Sequence, residues 1–145
     1  MTATLLSPKD LAREYLRRLD AGDPTIVDLF ADDATFYFPK FGLGRGKAQL
    51  LEMIGKLGEL VASIAHDTAT ALFLQVGDRV VVEGVSKGVL RDGRRWAAGE
   101  TPAGRYADVF DVRDGKIVRL HVYVDPDYGS DHDAAFLWGR DGRTW

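Results

Sequence analysis

The sequence contains no cysteine. That excludes disulfides, thiol catalysis and cysteine metal sites, and it fits a reducing compartment. No apolar run approaches the ~20 residues that span a bilayer. Met1 to Ser7 also lacks the basic region and apolar stretch of a secretion signal. A cytoplasmic protein with no membrane partner is therefore expected. Excess positive charge is missing as well: a net charge of −3 and a pI of about 5.6 leave no general footprint for nucleic acid. There is no internal repeat, low-complexity tract or long linker. What is present is a 145-residue chain that is 46% hydrophobic, enough for the core of one domain. Residues 1–145 are read as that domain, with 126–145 as a C-terminal tail.

The first helix is signalled by Ser7-Pro8-Lys9-Asp10, with Ser as N-cap, Pro at N1 and an acid at N3. Ala12, Tyr15, Leu16 and Leu19 recur at helical spacing, and Gly22 supplies a left-handed stop. Asp23-Pro24 caps a short second helix with Ile26, Val27 and Phe30 on its buried face. Ala34 to Phe38 reads as a strand that Pro39 ends. Residues 41–46 read as a loop, and a third helix is expected from about Lys47 to Ser63, weakened by Gly55 and Gly58 by up to ~1 kcal/mol each. Gly42-x-Gly44-x-Gly46-Lys47 lacks the spacing and the hydroxyl residue of a phosphate loop, which leaves a loop leading into that helix.

The remainder alternates as strands over Thr68 to Val76, Arg79 to Leu90, Arg95 to Ala98, Arg105 to Val112 and Lys116 to Val124. Asp114-Gly115 marks the last hairpin. In the tail, Ala134 to Trp138 is expected to pack as a helical turn. Helices followed by an antiparallel meander mean α+β: three N-terminal helices on one face of a strongly curved sheet, with a pocket between them. Tyr106, Asp108 and Phe110 share one strand face, so an acid sits among aromatics. Val118, Leu120, Val122 and Val124 share the apolar face of the last strand, and His121 lies on the other.

Asp20 stands in the last turn of helix 1, at the negative end of the macrodipole, a placement that costs a few tenths of a kcal/mol to ~1. Imidazolium from His66 would offset it. A carboxylate on one ring nitrogen would also fix the tautomer and leave the other nitrogen for a substrate. The alternative is a structural hydrogen bond tying helix 1 to the sheet. Asp108 would have a raised pKa if buried without a cation. It could equally pair with Arg94, Arg95 or Arg105. Tyr15 is either a core residue with a bonded hydroxyl or a donor into the pocket. Tyr15 and Asp20 are five positions apart, about 140° around the axis, so they need not share one task. His132 with Asp127, Asp131 and Asp133 lacks the spacing that fixes three metal ligands, and no metal is expected there.

The order and spacing of several short motifs resemble a known family. They are Tyr15-x4-Asp20-Ala-Gly-Asp23, Leu29-Phe30-Ala31-Asp32-Asp33-Ala34-Thr35, Gly44-Arg45-Gly46, His66, Tyr106-x-Asp108-Val-Phe, and Asp114-Gly115-Lys116-Ile117. Together they look like the SnoaL-like branch of the nuclear-transport-factor-2-like, or cystatin-like, cone fold. That branch includes polyketide cyclases, ketosteroid isomerases, scytalone dehydratases and bile-acid dehydratases. The resemblance implies a cofactor-free lyase or isomerase that binds a small hydrophobic, cyclic, oxygenated ligand. It also implies a homodimer formed through the outer sheet face. Tyr15 and Asp108 fall where steroid isomerases hold the enolate oxygen, but Phe38 precedes Pro39 where their aspartate base would stand. Tyr15, Asp20 and His66 match the dehydratase set. Ser86 replaces a further aspartate of bile-acid dehydratases, and Val122 replaces the carboxylate of limonene-epoxide hydrolases. The expected catalytic set is His66, Asp20, Tyr15 and Asp108. The expected pocket wall is Phe36, Phe38, Ile54, Ser86, Tyr106, Phe110, Leu120, Val122 and Val124. A non-catalytic ligand-binding or dimerisation module on the same fold is the alternative.

Overall fold

The structure, a computed structural model, describes residues 3–136 and 142–145. Helix α1 spans Pro8–Ala21. Ser7 caps it by accepting the Asp10 N–H at 3.1 Å, and Gly22 ends it at φ 63°. There the Asp23 N–H reaches back to Arg18 O at 2.9 Å. Glycine takes this left-handed conformation without the steric cost a Cβ would add. A 3-10 turn, Pro24–Leu29, follows, capped by the Asp23 side chain. Helix α2 spans Gly46–Leu60.

Eight strands form the sheet: β1 (Phe30–Phe38), β2 (Gly42–Arg45), β3 (Val61–His66), β4 (Leu72–Val76), β5 (Arg79–Leu90), β6 (Arg95–Ala97), β7 (Arg105–Arg113) and β8 (Lys116–Val124). The main order is β2-β1-β8-β7-β5-β3, with β4 and β6 also on β5. All pairs are antiparallel except β1–β8. Strand β5 organises the curvature. Its first half lies between β4 and β7. Its second half lies between β3 and β6. At Ser86 the hydrogen bonding passes from one set of neighbours to the other: the Ser86 N–H donates to Gly104 O, and Ser86 O accepts from Ala98 N–H. Close packing at the bend depends on Gly88, where a Cβ would lie 2.1 Å from the Trp96 ring and 2.4 Å from Ser63 O.

Several elements differ from the pattern read in the sequence, most of them through a non-local pairing. The segment 61–63 is strand, because it pairs with the end of β5. Residues 42–45 are a strand folded back on β1, where a loop is expected. Strand β1 starts at Phe30, across a register break before Thr35. A second break in the β7–β8 ladder falls at Val118, so Ile117, at 0% exposure, takes the buried place expected of Val118. In the tail, a 3-10 turn forms at Asp133–Phe136, but its Phe136 is 63% exposed rather than packed. Leu137 and Trp138 of that expected turn lie outside the described residues.

The main core joins α1 (Leu11, Ala12, Leu16) to the concave face of the sheet through Phe30, Phe36, Val80, Val82, Phe110 and Leu120. A smaller cluster of Leu90, Trp96, Ala103 and Tyr128 closes the other end. On the convex face, the Tyr37 ring lies 5.6 Å from His121 and 5.8 Å from Tyr123. Among the described residues no helix is long and apolar enough to cross a membrane.

Gly55 sits exposed in α2, and a Cβ added there would meet nothing within 4 Å. Its cost to the helix is therefore uncompensated by any close approach. Gly55→Ala is expected to stabilise the protein by about 0.5–1 kcal/mol, read as a higher urea midpoint with an unchanged slope.

Candidate active site

The end of α1 meets the end of β3 at Asp20. Its carboxylate takes two hydrogen bonds from one residue: the His66 backbone N–H donates to Oδ2 at 2.8 Å, and His66 Nδ1 lies 2.6 Å from Oδ1. The helix-end carboxylate thus has its compensating donors. The arrangement fixes Nδ1 toward the acid and leaves Nε2 as the free ring nitrogen. The His66 side chain is 7% exposed and meets the Tyr106 ring edge-on at 4.8 Å.

Both residues border a cavity of about 360 Å³ between α1, α2 and the concave sheet face. Its lining joins residues of α1 and α2 to Phe38 of β1, Val61, Ile64 and His66 of β3, Ser86 of β5, Tyr106 and Asp108 of β7, and Val122 and Val124 of β8. Asp108 borders the same cavity and is 3% exposed. Its Oδ1 has no hydrogen-bond partner, nor does the Tyr106 hydroxyl. None of Arg94, Arg95 or Arg105 pairs with it among the described residues: Arg94 holds Asp92 and Asp131, and Arg105 holds Trp145 O. Burial pushes the Asp108 carboxyl up to about 7, against the opposing pull of nearby His66. Tyr15, Tyr106 and Tyr128 are all raised above the ordinary phenol value, first by burial and next by the field of Asp108. The cavity therefore presents three phenols and a buried carboxyl whose protonated forms are favoured, beside the His66 ring held by Asp20.

Comparison with known proteins adds the family. The SnoaL-like domain matches residues 12–120, three-quarters of the chain. The chain belongs to the SnoaL-like family. Solved structures similar to this SnoaL-like chain include an NTF2-like protein from Anabaena variabilis at 24% identity and a TM-score of 0.69, covering 89% of this chain and 98% of that one. A candidate polyketide cyclase from Pseudomonas putida aligns at 18% identity and a TM-score of 0.70, covering 85% and 95%. A cystatin-like protein of unknown function from Xanthomonas campestris aligns at 22% and 0.68, covering 87% and 96%. At such identities these likenesses establish the NTF2-like, cystatin-like fold. No curated protein matches the sequence significantly.

In this SnoaL-like cone, Tyr15, Asp20, His66 and Asp108 all border one cavity, as do Phe38, Ile54, Ser86, Tyr106, Val122 and Val124. Three expected wall residues are placed elsewhere. Phe36, Phe110 and Leu120 are 0–1% exposed and packed in the core beyond the cavity floor. They occupy one cross-strand row, Phe36–Leu120–Phe110–Val80. Ser86 borders the cavity, but its hydroxyl is committed: it donates to Gly104 O at 3.2 Å and accepts from Trp96 Nε1 at 3.3 Å. Tyr128, which no sequence pattern marks, also borders the cavity; it is 6% exposed and packs on Trp96 at 4.5 Å between ring centres. Only its place in Asp125-Pro126-Asp127-Tyr128, just past the last strand, hints at a residue folding back over the sheet. Near it, His132 Nδ1 lies 3.6 Å from Asp127, whose carboxylate accepts the N–H groups of Asp131 and His132. No group of three potential metal-ligating side chains is found among the described residues.

Proposed function

We propose that this SnoaL-like chain is a cofactor-free isomerase or lyase. It acts by proton transfer on a small, hydrophobic, cyclic, oxygenated compound held in the cone. One observation carries the reading: Asp108, a buried acid with an unpaired oxygen, borders the same cavity as Tyr15 and a histidine held by a carboxyl group. Leaving a buried polar atom unpaired costs ~1–3 kcal/mol, a cost a ligand oxygen would relieve.

In the proposed cycle, His66 Nε2 takes a proton from the carbon next to a substrate carbonyl. The electron pair moves onto the carbonyl oxygen, where protonated Asp108 and the Tyr15 hydroxyl donate to the developing enolate. The imidazolium, held by Asp20, then returns its proton to another carbon, which completes an isomerisation. Alternatively it protonates a β-hydroxyl that leaves as water, which completes a dehydration. The apolar wall of Phe38, Ile54, Val122 and Val124 supports a ring system over an open-chain polar substrate.

The test is a panel of cyclic ketones and β-hydroxyketones incubated in D2O. Deuterium incorporation next to the carbonyl is followed by NMR, and enone formation by ultraviolet absorbance. Exchange or elimination above the buffer rate is the expected result. Tight binding of the panel with no exchange and no elimination would overturn the enzymatic reading in favour of a ligand-binding module.

A further inference from the structure

The cavity extends well beyond the proton-transfer cluster. Strands β3 and β5 run antiparallel beneath it, with His66 opposite Ser86 and Val61 opposite Leu90. The cavity follows this ribbon from His66 and Ser86 to Val61 and Arg91. Ser86 and Arg91 are five strand steps apart, roughly 16 Å at ~3.3 Å per residue before the side chains reach back. Apolar side chains, including Ile54, Leu57 and Ile64, fill the interval.

At the far end stands a cation. Arg91 is the one arginine or lysine bordering the cavity among the described residues. Its place is fixed from two sides: its backbone N–H donates to Leu60 O at 2.9 Å, and its Nε donates to Gly58 O at 2.9 Å. Those carbonyls belong to the last turn of α2, whose acceptors have no partner within the helix. With Nε committed, the two terminal nitrogens have no hydrogen bond and no acid among the described residues. Neighbouring Arg94, by contrast, is taken up by Asp92 at 2.8 Å and Asp131 at 2.7 Å. A guanidinium pinned at one edge and open at its fork suits a carboxylate, which it binds through two parallel hydrogen bonds.

We infer that the ligand is an elongated apolar acid, its reactive carbonyl or hydroxyl beside His66 and Asp108 and its carboxylate on Arg91 at the mouth. The placement of the reactive end rests on the acid–base reading above; the carboxylate contact stands on Arg91 alone.

The experiment compares hydroxybiphenylcarboxylate with its carboxamide by calorimetry, on the wild-type protein, Arg91→Gln and His66→Ala. The wild type should bind the acid at least about tenfold tighter than the amide, the scale of one charge-assisted contact. Arg91→Gln should lose that preference and bind the amide as the wild type does, which shows the cavity intact. His66→Ala should keep the preference. Equal binding of acid and amide by the wild type, a preference that survives in Arg91→Gln, or no binding of the acid at millimolar concentration would each overturn the inference. Failure of the acid–base reading is separate: it would leave the preference in place and show no exchange or elimination in the ketone panel.

Discussion

His66→Ala is expected to abolish turnover while leaving ligand affinity nearly unchanged. His66 is the one histidine bordering the cavity among the described residues, and loss of a positioned general base costs roughly 10²- to 10⁴-fold. Its Nδ1 is committed to Asp20 at 2.6 Å, so Nε2 is the nitrogen left for the substrate. Binding, in contrast, is spread over the apolar wall, from which the substitution removes one mostly buried ring. kcat should therefore collapse while Kd moves by less than about threefold. Asp20→Asn separates positioning from chemistry. The amide oxygen can still accept one N–H, but the negative charge behind the imidazolium is gone. kcat should fall by less than in His66→Ala, with KM steady. Equal kcat in the wild type and His66→Ala would reject the assigned base.

The elements legible in the sequence are those whose signals are local. The Ser7 cap, the Gly22 stop and the Asp114-Gly115 hairpin each depend on residues within one turn, and each stands where expected. Strand β3 was hidden because Leu57, Leu60, Val61 and Ile64 repeat at helical spacing. Pairing with the end of β5, where Val61 lies opposite Leu90, overrides that local pattern. The same distinction divides the site. Alternation correctly separates inward from outward residues on β7, so Asp108 was visible as an acid turned inward. Alternation does not give depth along a strand. Phe110 and Asp108 share a face two residues apart, yet the first is packed in the core and the second borders the cavity. Only the curvature set by β5 decides which row falls where. Tyr128 was illegible for a further reason: it lies beyond the last strand, and its burial depends on Trp96 and on the Arg94 contacts to Gly129 and Asp131.

Asp108→Asn is expected to make the protein more stable at alkaline pH and less active. The carboxyl is raised from 3.8 to about 7, chiefly by burial. Between those values the unfolded chain has released the proton and the folded chain still holds it. Wild-type stability therefore falls as pH rises through that window and levels off above about 7. The total is on the order of 4 kcal/mol, with about 3 kcal/mol of it between pH 5 and pH 8. Asparagine has similar volume and nothing to titrate. The stability of Asp108→Asn relative to wild type should then rise by about that amount from pH 5 to pH 8. Urea midpoints of both proteins at the two pH values measure it, because titration of groups not coupled to Asp108 cancels in the difference. A pH-independent difference would show that Asp108 is not held protonated by the fold. The catalytic counterpart follows from the same proton. If the neutral carboxyl donates to the substrate oxygen, wild-type kcat declines as pH rises through about 7. Asp108→Asn keeps a weaker donor and loses that limb of the profile. Asp108→Ala has no donor and should be impaired at every pH. The buried acid that costs the fold stability at neutral pH is thus the group expected to recover that cost when a ligand oxygen meets it.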